Sequence, residues 1–284
     1  MNMLKKLGCS VAAVMLALNL GVVAQAKDYK TVTIAMEGAY EPWNLTDPSG
    51  KIVGFEVDVA NDLCKRIQAE CKIIAQDWDG MIPGLQAGKF DVIMDGMSIT
   101  EERLKTIDFS KPYASTPASL VVNKTGPLAK LPGTGTTINL TKNPKEGEAA
   151  IAALKAALKG KTIGVQVSTI HATFADTYFK DVATIREYKT TDEHDADLMA
   201  GRLDAVLADT TAEMPVLAKP EAKDLMFAGT QFSAGPIFGM GVGMGIRKDD
   251  AELTKKFNTA LDAAFADGTI KKLSLQWFKM DTAP

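Results

Sequence analysis

Apolar positions in this chain fall into two alternating kinds of block. One kind is a short, nearly continuous apolar run bounded by polar residues or glycine, the pattern of a strand buried on both faces. Such runs predict strands over Thr31–Met36, Lys72–Gln76, Phe90–Met94, Thr162–Val165 and Leu203–Ala208. The other kind repeats apolar residues at helical spacing. It predicts helices over Phe55–Gln68, Gly80–Ala87 with Pro83 in the first turn, about Thr169–Phe179, Thr191–Ala200, Ala251–Asp267 and Ile270–Phe278. Strands alternating with helices are the signature of an α/β chain with parallel sheets. Residues 126–148, rich in Gly, Pro, Thr and Asn, read as a long surface connection, a tolerated loop insertion, before an Ala/Lys helix from about Ala149 to Leu158.

The pattern also repeats. Ala87-Gly-Lys-Phe-Asp-Val-Ile-Met-Asp-Gly is echoed by Ala200-Gly-Arg-Leu-Asp-Ala-Val-Leu-Ala-Asp209. Each copy is a helix end, a glycine, a basic residue, an apolar residue, an aspartate and a buried strand that ends in polar residues. One copy means little, because glycine commonly closes a helix. Two copies in matching contexts predict two similar lobes. Open parallel sheets bind ligands beyond the carboxyl ends of their strands, so both strand ends are expected to face one cleft.

The first copy runs into Ser98-Ile-Thr100-Glu-Glu-Arg103. Thr100 is a good N-cap, and Glu101 and Glu102 suit a helix start. Arg103 opposes the helix dipole there unless an anion is close. A small carboxylate ligand, held by the guanidinium fork and backbone N–H groups, would supply it. The competing reading is a surface arginine paired with a neighbouring glutamate.

At the N-terminus, Lys5 and Lys6 precede an apolar run from Val11 to Val23 and the small-x-small site Ala24-Gln-Ala26, the pattern of a cleaved secretory signal over residues 1–26. The run is short for a transmembrane helix. Cys9 would leave with it. The mature chain would keep 284 − 26 = 258 residues, enough for two lobes each with a core, and its formal charge would move from −3 to −5 with the loss of the two lysines. A mildly acidic chain argues against nucleic acid as a partner. Cys64 and Cys71 remain, and export makes a disulfide between them plausible. Their spacing does not suit a paired-cysteine zinc site, and His171 and His194 lie far away in sequence, so no metal and no cofactor is expected. No nucleophilic triad can be assembled.

The chain resembles the periplasmic solute-binding proteins of ATP-binding-cassette amino-acid importers, in the branch for lysine, arginine, ornithine, histidine and the opines octopine and nopaline. The resemblance covers nearly all of the mature chain. It is carried by Gly54-Phe-Glu-Val-Asp58, the Cys64–Cys71 segment, Trp78-Asp-Gly-Met-Ile-Pro83, Ser98-Ile-Thr100 with Arg103, Asp108-Phe-Ser110, Gly201-Arg-Leu-Asp204 and Gly245-Ile-Arg-Lys-Asp249. It implies a type II periplasmic-binding-protein fold: two lobes, each a mostly parallel sheet flanked by helices, joined by two hinge strands. Lobe one would be 27–114 plus 233–284, and lobe two 115–232.

The resemblance also implies a ligand site. Arg103 matches the arginine that grips the α-carboxylate, and Ser98 a serine that bonds the amino-acid head. Asp209 matches the aspartate that pairs with the α-ammonium, although by itself it reads as a strand-end turn residue. Thr169 and the backbone near Ile170 match a helix start that closes over the carboxylate. Tyr40 and Trp78 match aromatic walls, and Trp78 suits stacking on a cation. Glu37 matches the acidic reader of a distal cationic group, with Gln166 and His171 at further pocket positions. Where relatives carry consecutive serines, this chain has Asp95 and Gly96. Asp95 beside Glu37 would demand a cation, since like charges repel, unless Asp95 instead points into the hinge and is satisfied by backbone. Gly96 would leave extra room. The run Gln166-Val-Ser-Thr-Ile-His171 looks like the opine branch, whereas Asp209 favours a free α-ammonium. The function implied is monomeric, periplasmic capture of an arginine-like amino acid or opine for a membrane permease, without catalysis. Two alternatives are a dehydratase-type enzyme on the same scaffold, needing a poised acid, and a sensing module for a membrane receptor.

Overall fold

A computed structural model of the protein describes residues 29–284; the expected signal segment and Cys9 lie outside the described residues. The first sheet contains β1 (Thr31–Met36), β5 (Glu70–Ala75), β6 (Val92–Ile93), β7 (Asp108–Phe109) and β14 (Gly245–Ile246), in the order β5-β1-β6-β14-β7. The second contains β8 (Ala118–Asn123), β9 (Thr137–Asn139), β10 (Thr162–Gln166), β11 (Thr184–Tyr188), β12 (Ala205–Asp209) and β13 (Leu225–Ser233), in the order β11-β10-β12-β8-β13-β9. A small antiparallel meander, β2 (Ala39–Tyr40), β3 (Asn44–Thr46) and β4 (Ile52–Val53), follows β1. Tracing pair directions across each sheet, β14 alone opposes the rest of the first and β8 alone opposes the rest of the second. The fold is two-lobed α/β.

Strand alternation sorts the side chains. Val32, Ile34 and Met36 of β1 face a core shared with the helices Phe55–Arg66, Ala251–Ala266 and Thr269–Phe278, while Ala35 faces a second core with Ile93 and Leu85. Trp43 and Phe55 pack on Phe278 of the last helix with ring centroids 4.9 and 4.8 Å away. Truncating a ring buried like this costs about 3–5 kcal/mol, so the C-terminal helix is bound firmly to the lobe that holds β1. In the second lobe, Ile163, Val165, Ala205 and Leu207 face one core, and Val206 and Ala208 the other.

The repeated motif is the same device twice. Gly88 and Gly201 both take φ 71°, the left-handed turn that ends the preceding helix. Asp91 Oδ2 then accepts from the Thr33 N–H at 3.0 Å, and Asp204 Oδ2 from the Thr162 N–H at 2.9 Å. Each aspartate thus pins the strand it opens to the neighbouring parallel strand. The disulfide joins Cys64, on the helix Phe55–Arg66, to Cys71 on β5 with the Cα atoms 5.9 Å apart.

Three sequence expectations change. The connection 126–148 is not a bare loop: Thr137–Asn139 forms β9 beside β13, and the following helix starts at Pro144, not near Ala149. Gly147 misled because it reads as a breaker; it sits in the first helical turn, where a Cβ would come within 2.4 Å of Leu140 Cδ2. The helix after Thr100 is a single turn, Glu101–Leu104, so Arg103 is at its end as much as its start and the dipole conflict disappears. Thr100 does cap it, accepting from the Arg103 N–H at 3.2 Å.

The chain passes from the first sheet to the second after Phe109 and returns before Gly245. The two crossing segments pair with each other, the Val242 N–H donating to Ala114 O and the Tyr113 N–H to Val242 O, both at 2.8 Å. On the return path Phe238 still packs in the core of the second sheet, and the Met240 N–H donates back to Ile99 O at 3.0 Å. No helix of the described residues is long and apolar enough to cross a membrane.

Candidate functional site

The carboxyl ends of β1, β6, β10 and β12 open on one cleft between the sheets. Glu37 follows β1, Asp95 and Gly96 follow β6, Gln166 ends β10 and Asp209 ends β12. Every residue anticipated for the ligand site lines this cleft, including Tyr40, Trp78, Ser98, Arg103, Thr169, Ile170 and His171.

Arg103 is half-buried and makes no ion pair with a described residue. Its guanidinium donates to Ser98 O at 3.1 Å and to Ser168 O at 3.2 Å, and stands 5.3 Å over the Trp78 ring. Lost hydration pushes its pKa down to about 10. The neighbouring acids do not pair with it: Glu102 binds Lys105 instead. The surface-pair reading of Arg103 therefore fails, and the cation that Trp78 stacks on in this chain is Arg103 itself. Trp78 Nε1–H donates to Val167 O at 3.0 Å, linking the two lobes.

At another part of the cleft lie two acids that form no ion pair with a described residue. Glu37 accepts from Gln166 Nε2 through both oxygens, at 3.0 and 3.1 Å. Burial pushes its pKa up from 4.5 to about 7 against these hydrogen bonds, with nearby Asp77 adding to the rise. Asp95 is 2% exposed. Its Oδ1 accepts from the Glu37 backbone N–H at 3.1 Å and from Asn44 Nδ2 at 2.7 Å. Its Oδ2 has no partner among the described residues. One Asp95 oxygen is thus satisfied by backbone and Asn44, and the other is left over. Burial, then Glu37 and Glu56, hold its carboxyl well above the usual range.

Gly96 does not leave extra room. It takes φ 58°, and a Cβ there would lie 2.7 Å from Tyr40 Cε1. Tyr40 occupies the space, stacked near Trp43 with ring centroids 6.3 Å apart. The Gly96 N–H donates to the buried Glu56 at 2.8 Å, which ties the cleft wall to the helix behind it.

On the opposite lobe, Asp209 behaves as a strand-end cap. Its Oδ1 accepts from the Thr211 N–H at 2.8 Å and its Oδ2 from the Thr116 hydroxyl. Burial nonetheless raises its pKa. The Thr169 hydroxyl caps the helix Ile170–Tyr178, accepting from the Ala172 N–H at 3.1 Å and donating to Gln166 O at 2.7 Å. His171 beside it is pushed down to about 3 by burial, then by His194 and Arg103, so it is neutral at pH 7.

The sequence reading missed Trp43, Thr116, Phe238 and Val242 in the lining. Trp43 Nε1–H donates to Thr211 Oγ1 at 2.9 Å across the cleft. Its only signal was an aromatic in the polar run after β1. Phe238 and Val242 lie on the return crossing, where no period marks a face.

Comparison with known proteins gives the family. The sequence profile of the bacterial extracellular solute-binding proteins, family 3, matches residues 32–280. The octopine-binding periplasmic protein of Rhizobium meliloti is 42% identical over 277 residues, covering 91% of this chain and 94% of that one. The L-arginine-binding protein of Pseudomonas aeruginosa is 36% identical over 284 residues, covering 98% of both. Among solved structures, a periplasmic His/Glu/Gln/Arg/opine family-binding protein from Silicibacter pomeroyi in complex with lysine superposes with TM-score 0.71 at 32% identity, covering 89% of this chain and 99% of that one. The chain belongs to the bacterial extracellular solute-binding proteins, family 3.

Proposed function

We propose that this protein captures a cationic amino acid of the arginine, ornithine or lysine type, or an opine built from one, and delivers it to the membrane permease of an ABC importer. It acts as a periplasmic monomer after loss of residues 1–26 and performs no chemistry on its ligand. One lobe would be 27–114 plus 233–284 and the other 115–232, with Phe238 of the return segment packed in the core of the second.

One observation carries the reading: among the described residues, a single cleft holds a guanidinium without a carboxylate and two acids without a cation. A ligand with a carboxylate at one end and a cationic tail supplies both. Its carboxylate would meet Arg103, Ser98 and the helix start at Thr169 and Ile170. Its tail would meet Glu37 and the leftover Asp95 oxygen beside Tyr40, with Trp78 under Arg103 at the carboxylate end. Asp209 Oδ1 already accepts from both the N–H and the hydroxyl of Thr211, so an α-ammonium or a substituted amine would be accepted at Oδ2, beside the Thr116 hydroxyl. Gln166 and neutral His171 complete the polar lining. Arginine and octopine share the required groups, consistent with the names of the relatives.

The mechanism is a hinge equilibrium. The hydrogen bonds from Trp43 to Thr211, from Trp78 to Val167 and from Gln166 to Glu37 join the lobes. Each contributes roughly 0.5–1.5 kcal/mol net, so a ligand that adds contacts on both walls shifts the population to the closed form. Isothermal titration of Arg103→Ala with arginine and octopine tests the anchor. Losing a charge-assisted bond of roughly 1.5–3 kcal/mol weakens binding about 10- to 150-fold; wild-type affinity would refute the assignment.

A further inference from the structure

Beside the cleft, in the second lobe, lies a group of side chains that ligand capture does not use. His194 and Asp195 are on the helix Thr191–Met199, and Glu213 is on the helix Thr210–Leu217 that Asp209 caps. His194 is fully buried, and Asp195 and Glu213 are 3% and 1% exposed. One ligand atom from each lies within 4.8 Å of the other two. His194 Nδ1 is 2.9 Å from Asp195 Oδ1. His194 Nε2 and both Glu213 oxygens have no hydrogen-bond partner among the described residues.

Leaving buried polar atoms unpaired costs roughly 1–3 kcal/mol apiece, and a bare buried carboxylate costs more. Something must compensate. Burial, Asp195 and Asp209 all push the Glu213 carboxyl well above its ordinary range, so a proton shared with Asp195 is the simplest compensation. It is an incomplete one. A single shared proton engages one Glu213 oxygen and leaves the other, and His194 Nε2, as they were. Protonating His194 adds a donor with no acceptor in reach. A divalent cation held by one atom of each residue does more: its charge balances two carboxylates, and it accepts an imidazole lone pair. One imidazole and two carboxylates are donors for Zn²⁺ and its first-row neighbours. A nitrogen ligand disfavours Ca²⁺ and Mg²⁺, and the lack of sulfur disfavours Cu⁺.

We propose that His194, Asp195 and Glu213 form a binding site for a divalent first-row transition cation, Zn²⁺ foremost, which ties the two helices together behind Asp209. The edge-on Tyr188 ring, 6.2 Å from that of His194, helps to fix the imidazole. His194 is also among the residues that line the cleft, so the site lies directly behind the cleft wall. Spacing gave no hint, because the third ligand comes from a separate helix.

The test uses untagged mature protein, stripped with EDTA and free of amino-acid ligand. Calorimetric titration with Zn²⁺ is expected to give one ion per chain, and Glu213→Gln to weaken it at least roughly 10- to 100-fold. Zn²⁺ should raise the Tm of the wild type and not of the variant. Should the variant fail to fold, Co²⁺ added to the wild type should perturb the amide signals of His194, Asp195 and Glu213 before any others. Absence of binding, equal binding by folded Glu213→Gln, or first perturbation at surface carboxylates would overturn the site. None of these results bears on capture of the amino acid.

Discussion

Glu37→Gln probes the acid end of the cleft without a ligand. In the folded, ligand-free protein the Glu37 pKa stands at about 7 instead of 4.5, because burial outweighs the hydrogen bonds from Gln166. At about 1.4 kcal/mol per pH unit, that interval is worth about 3 kcal/mol. The sign follows from proton uptake. The folded state holds this proton more tightly than the unfolded chain, so the stabilisation is complete below about pH 4.5 and is lost as pH rises through about 7. Glutamine stays neutral throughout. The stability of Glu37→Gln relative to wild type should therefore rise by about 3 kcal/mol between about pH 4 and about pH 8. Urea unfolding of both ligand-free proteins across that range measures the difference directly. Distant carboxyls titrate in both proteins and cancel, whereas Asp95 is relieved of the Glu37 charge in the variant, which acts in the same direction. A difference that does not change with pH would refute the assigned environment of Glu37. The same account requires a cationic ligand to restore the carboxylate, so binding near pH 6 should release a proton, seen as heats that depend on the ionisation enthalpy of the buffer.

Asp95→Asn keeps an oxygen for the Glu37 N–H and Asn44, and replaces the leftover oxygen with a donor. Ligand-free Tm should hold or rise, while arginine affinity falls at least roughly tenfold, the cost of a charge-assisted bond; unchanged affinity in a titration would remove Asp95 from the site. Trp43→Phe deletes the N–H that reaches Thr211 across the cleft and also trims a buried ring packed on Phe55 and Phe278, so stability falls too and the lost hydrogen bond is the part read in binding. At about 1 kcal/mol it should weaken binding about fivefold and increase the open fraction in small-angle scattering, and a closed fraction equal to wild type would contradict its role in closure.

What the sequence revealed depended on how local its cause was. The glycine–aspartate motif could be read because a helix end, a left-handed glycine and a strand start are set within a few residues. Both copies do the same work, at Asp91 and Asp204. The helices Phe55–Arg66 and Ala251–Ala266 were legible from their apolar faces. Strands β7, β9 and β14 were not, since runs of two or three residues carry no period and exist only through distant partners. Among the site residues, placement followed from strand ends and resemblance, but satisfaction did not. Nothing in the sequence showed that Asp95 would have one oxygen bound to backbone and one left over. Nor could it show that Tyr40 would fill the space beside Gly96, or that Trp78 would lie under Arg103. Those features depend on packing between segments far apart in the chain.

Binding of a cationic amino acid or opine in the cleft is the central claim, and calorimetric titration of the unliganded mature protein with a small panel tests it most directly. Arginine, ornithine, lysine and octopine come first, followed by glutamate, glutamine and leucine. At least one ligand bearing both a carboxylate and a cationic tail should bind, and bind more tightly than every acidic or neutral ligand. Binding confined to acidic or neutral amino acids would contradict the roles given to Glu37 and Asp95, and with them the account of the cleft.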